Sequence, residues 1–261
     1  MYPAYRAMVA GESESALASL FTILFSQLFA FMLAATVYLT LVAGDGIWRK
    51  LGRPLWTRWS EADYRGHILR SVGYGYLFCL FLLGLQQVLF WAGERYFDVW
   101  SVNDPMFSEV NQLWPLAAPL LAWAAAISEE ALFRLFGIGL FKRWFKSSAL
   151  AAILSSMIWA IGHTSYPIYP TYTRFVEVAI IGLVFSFIFL KFGFITAVFT
   201  HASFNSILMG VSLIFTVSGA QALLGLVYIA SPAIVGFILY WLHSIFRKRP
   251  TPPHLDAPTH A

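Results

Sequence analysis

Residues 194–246 contain no Asp, Glu, Lys or Arg. A helix needs about 20 apolar residues to cross a bilayer. The run therefore holds two spans, divided at the turn signal Ser218-Gly219, and Pro232 is expected to bend the second. Residues 16–43, 71–93 and 147–162 are also uncharged. Residues 113–141 are apolar except for Glu129, Glu130 and Arg134, and 175–190 carry only Glu177 near their start. None of these runs alternates polar with apolar residues as the strands of a membrane barrel would. Only helices and closed barrels satisfy the backbone in lipid. The expected fold is all-α: a polytopic transmembrane helical bundle of about seven spans. An eighth helix, re-entrant or lying on the surface, stays open, with the amphipathic stretch 142–146 as its candidate.

Charged residues make up 11% of the 261-residue chain, against about a quarter in soluble domains. That marks an integral, multi-pass membrane protein with the lipid bilayer as its main partner. The net charge of +4 sits in short loops and reads as topology, so no nucleic-acid partner is expected. Arg49, Lys50, Arg53, Arg58, Arg65 and Arg70 surround the first connection. Lys142, Arg143 and Lys146 follow the third run, Lys191 the fifth, and Arg247, Lys248 and Arg249 the last. The second connection is mostly acidic, with Glu94, Asp98, Asp104 and Glu109 against Arg95. The positive-inside rule then puts the C-terminus in the cytoplasm, and a cell (inner or plasma) membrane is the expected location. Cys79 is the single cysteine, which excludes an intrachain disulfide and a Cys-rich zinc site. Three regions are expected. Residues 1–112 form a membrane region with two spans and a basic cytoplasmic loop, 113–246 a catalytic core, and 247–261 a Pro-rich, disordered tail.

Ionisable residues at membrane depth are costly and need a partner, a wet cavity or a function. Glu130 and Arg134 stand at i and i+4 and can pair on one helical face. Glu129 points about 100° away and has no partner on its own helix. It is a carboxylate available as a general base, although all three charges could equally form a structural cluster. His163 ends the fourth run. His201 and Asn205, again i and i+4, share a face of the sixth. Two carboxylates, two imidazoles and an amide from three helices suit either hydrolysis or an ion- or proton-coupled transporter. A non-catalytic immunity or scaffold protein is a further alternative.

Together these residues resemble the CPBP family: CAAX prenyl proteases and bacteriocin-processing enzymes, also called Abi proteins. The family's first motif is two Glu, three residues and Arg, matched by Glu129-Glu130-Ala131-Leu132-Phe133-Arg134. Its second is Phe, three residues and His, met by Trp159-Ala160-Ile161-Gly162-His163 with Trp in place of Phe. Its third is His, three residues and Asn, met by His201-Ala202-Ser203-Phe204-Asn205. The resemblance implies an intramembrane endopeptidase acting on a membrane-associated protein or peptide. By analogy Glu129 and His163 activate water, and His201 and Asn205 stabilise the oxyanion. Glu130 and Arg134 fix the helix and orient Glu129, and Trp159 supports the pocket. The resemblance leaves the metal open: Glu129, His163 and His201 are the ligands if a divalent ion such as zinc is used. One geometric difficulty stands out. At about 1.5 Å per residue, Glu129, His163 and His201 lie about 18, 24 and 10 Å from the basic ends of their runs, so convergence needs tilt or broken helices.

Overall fold

The computed structural model describes residues 16–102, 118–216 and 219–246. Seven helical rods make up nearly all of it. Helix α1 runs Ala16–Lys50 and α2 Tyr64–Phe97. The third rod is continuous but changes its winding: α3 (Ala118–Glu129), a π segment (Glu130–Ile138) and α4 (Gly139–Phe145). Then come α5 (Ser148–Ile161), α6 (Thr171–Phe192), α7 (Phe194–Thr216) and α8 (Ala220–Phe246). β1 (Trp100–Ser101) and β2 (Ile168–Tyr169) pair as a two-rung antiparallel ribbon. Five helices, α1, α2, α6, α7 and α8, are long and apolar enough to cross a membrane.

The expected division of 194–246 falls between Thr216 and Ala220. Residues 142–145 finish the third rod and Lys146 is its left-handed cap, so this stretch forms no eighth helix. The charged ends of the first two spans are helical too. α1 continues to Lys50, and α2 begins at Tyr64, taking in Arg65 and Arg70. Asp104, Glu109, the first residues of the third span and the tail 247–261 lie outside the described residues.

Helix α7 is the axis of the bundle, packed against α8, α2, α3 and α6. Every residue of 194–204 is buried. Apolar burial offers little driving force between helices in lipid, so close packing and interhelical hydrogen bonds hold such a bundle. Gly210 meets α8 so closely that a Cβ there would lie 2.6 Å from the Gly225 carbonyl oxygen. Ser71–Thr196, Ser156–Ser186 and Ser206–Ser231 join helix pairs at 2.9, 3.1 and 3.3 Å.

Pro232 lies within α8 and donates no hydrogen bond to the turn before it. One residue further on, Tyr76 of α2 bonds to this turn. Its hydroxyl donates to the Ile229 carbonyl at 2.6 Å and accepts from the Ala233 amide at 3.3 Å. The hydroxyl thus bridges the Ile229 carbonyl and the Ala233 amide, four residues apart on α8.

The connection 51–63 seals the basic end. Leu55 accepts from the Phe194 amide at 2.8 Å. Trp59 offers its carbonyl to His243 Nε2 at 3.0 Å. Arg58 pairs with the buried Asp45 of α1, and Arg53 donates to the Leu190 carbonyl. His243 is buried between Trp59 and Tyr64.

Candidate active site

The π segment begins at Glu130, inside the first motif. Single π turns in α-helices recur at functional sites because i→i+5 bonding displaces carbonyls from their usual partners. Here side chains from other helices take up two of them. Trp48 Nε1 of α1 donates to the Leu135 carbonyl at 2.8 Å, and Ser155 Oγ of α5 donates to that of Phe133. Gly44 lets α1 come this close, since a Cβ there would meet Leu135 atoms at 2.8 and 2.9 Å.

Three elements bring the motif residues together. Glu129 Oε2 lies 3.9 Å from His163 Nε2 and 3.9 Å from His201 Nε2. Two features resolve the difference in depth. α7 starts beneath the connection 51–63, with Phe194 already buried. His163 stands two residues beyond the end of α5, in the irregular stretch 162–167. Non-helical backbone at membrane depth is tolerated where protein buries it or it lines a wet cavity.

Both imidazoles are oriented through Nδ1. His163 Nδ1 lies 2.9 Å from the Trp159 carbonyl oxygen, which can only accept, so this nitrogen carries the proton. His201 Nδ1 donates to Glu130 Oε1 at 2.8 Å. Each ring thus turns Nε2 toward Glu129. The side chains of Glu129 and His163 are 26% and 19% exposed and that of His201 only 5%, so the carboxylate stands at the open edge of the cluster.

Glu130 and Arg134 pair as the sequence predicts, at 3.3 Å. Glu130 also holds His201, whose Nδ1 donates to its Oε1. Arg134 is buried, its guanidinium 4.2 Å from the Trp159 ring centre and 5.2 Å from that of Phe185. Its nitrogens make no hydrogen bond among the described residues. Trp159 Nε1 donates to Glu129 Oε2 at 2.5 Å. Asn205 lies one turn beyond His201 on α7, partly exposed.

Glu129, His163 and His201 have the right donor chemistry for zinc. Neighbouring ligand atoms on a tetrahedral zinc lie about 3.3 Å apart, given bonds of about 2.0–2.1 Å. Here both carboxylate–imidazole separations are 3.9 Å, and Trp159 already bonds the facing oxygen. Among the described residues no group of three or more His, Cys, Asp or Glu is arranged to hold a metal. The trio does not fit zinc as it stands.

Sequence reasoning assigned no site role to Arg174 or Glu177, which pair at 2.8 Å with Gln86 bonding Glu177 at 3.0 Å. Arg174 lies 5.3 Å over the Tyr166 ring, and Tyr166 stacks on His163 at 5.8 Å. A charge pair at i and i+3, at the start of an otherwise uncharged span, was the available signal.

The fold and the cluster define a polytopic helical membrane protein with a carboxylate–imidazole site built between three elements. Residues 111–207 match the family model described as "Type II CAAX prenyl endopeptidase Rce1-like". That stretch contains all three motifs, so the resemblance read from them is borne out there. No curated protein and no solved structure matches the chain.

Proposed function

We propose that this protein is an intramembrane endopeptidase of the CAAX type, hydrolysing a peptide bond in a membrane-associated protein or peptide. The observation that carries the reading is the convergence of Glu129 Oε2 with Nε2 of His163 and of His201, each 3.9 Å away. That is too long for a direct hydrogen bond and suits a bridge through one water. Glu129 takes the proton from that water as it attacks the carbonyl carbon, and His163 holds the water. His201 and Asn205 donate to the developing oxyanion. For His201 this requires a proton on Nε2 while Nδ1 donates to Glu130 Oε1. Glu129 then returns its proton to the leaving amine. No step needs a metal.

Residues 113–246 form the catalytic core, and 1–112 brace it through Trp48 and Tyr76. The protein resides in a cell membrane with its basic loops and C-terminus in the cytoplasm. The transporter and scaffold alternatives have no observation of their own in their favour. The test is to incubate reconstituted protein with membrane peptides in 18O-labelled water. New carboxyl termini carrying the label are expected with the wild type and not with Glu129→Ala. Absence of labelled termini with the folded wild type contradicts the reading.

A further inference from the structure

Trp159 touches more of the site than any motif places there. Its indole N–H is 2.5 Å from Glu129 Oε2. One ring face carries the Arg134 guanidinium at 4.2 Å. His163 lies 4.6 Å away and His201 6.1 Å, centre to centre. Its carbonyl accepts from His163 Nδ1. The side chain is buried, and Gly182 of α6 makes room for it: a Cβ there would come within 3.0 Å of Trp159 Cε3. The family motif has Phe at this position. Phe can stack on a guanidinium but cannot donate a hydrogen bond.

We propose that Trp159 is a positioning residue whose indole N–H locks the rotation of the Glu129 carboxylate. The indole couples that carboxylate to the buried Arg134–Glu130–His201 chain. Glu129 has no donor on its own helix, and charge-assisted hydrogen bonds are the strong, orienting ones. Without this donor, a partly exposed Glu side chain samples several rotamers. The N–H selects the one facing the two imidazoles. The indole contacts both the Glu129 carboxylate and the Arg134 guanidinium, so donor and platform act through one ring.

Two measurements test this, and only the first rests on the peptidase reading. Trp159→Phe keeps the aromatic platform and removes the donor. Its kcat is expected to fall about tenfold with KM within about twofold, since the bond aligns the base rather than the substrate. An unchanged kcat in a folded Trp159→Phe protein overturns the proposal. The second follows indole N–H signals in 15N-tryptophan-labelled wild-type protein. The Trp159 signal, assigned by its loss in Trp159→Phe or Trp159→Tyr, is expected at low field and to move upfield in Glu129→Ala. A Trp159 signal that does not respond to Glu129→Ala overturns the proposal even if no peptide is ever cleaved.

Discussion

Glu130 Oε1 accepts from His201 Nδ1 at 2.8 Å and lies 3.3 Å from Arg134 Nη1, so one buried oxygen serves an imidazole and a guanidinium together. Removing one member of a buried ion pair costs about 3–5 kcal/mol because the other charge is left uncompensated. Glu130→Gln and Arg134→Met should each destabilise the protein by about that much. The double variant should cost clearly less than the sum of the two, because neither charge then stays buried alone. Equilibrium unfolding in detergent micelles measures the cycle. Strict additivity would mean that the pair does not act as a unit.

The π segment depends on donors from other helices. Ser155→Ala leaves the Phe133 carbonyl without its side-chain partner, and Trp48→Phe does the same to Leu135. Each should cost about 1–3 kcal/mol. Each should also lower kcat, because the same segment aims Glu129 and Glu130. Melting temperature and turnover, measured on the same preparations, check whether both fall together.

Asn205 is assigned to the oxyanion. Loss of one oxyanion donor costs about 10²–10³ in kcat. Asn205→Ala should show a loss of that order with little change in KM or stability, since the residue is partly exposed. A variant with raised KM and unchanged kcat would place Asn205 in substrate binding instead.

The proposed mechanism routes no step through a metal at Glu129, His163 and His201, whose carboxylate–imidazole separations are both 3.9 Å. Turnover should survive prolonged treatment with zinc chelators, and purified active protein should contain less than about one-tenth of an equivalent of zinc. Activity lost to a chelator and restored by added zinc would require a rearranged trio with ligand distances near 2 Å.

The helical bundle was legible because long apolar runs without polar alternation fit helices and not barrel strands in lipid. The seven rods lie within a few residues of those runs, apart from the helical charged ends of α1 and α2. The Glu130–Arg134 pair was legible because its spacing is local. The winding of the third rod was not, since it rests on Trp48, 87 positions from the carbonyl it bonds. Counting residues put His201 too shallow because α7 begins under a folded connection, and no local signal marks a helix that starts inside a protein. The partner of Glu130 was also missed: helical spacing pointed to Arg134, while His201 comes from a helix 71 residues away. Trp159 was legible as a departure from the motif, but its bond to Glu129 depends on how α5 is rotated against the third rod.

The central claim is that Glu129 activates water for peptide-bond cleavage. Its most direct test is comparative terminal peptidomics on membranes from cells making the wild-type protein or Glu129→Ala at equal abundance. The account predicts a set of peptide ends present with the wild type and lost with the variant, mapping to membrane-associated proteins. Identical ends in both samples, with both proteins folded, would contradict it.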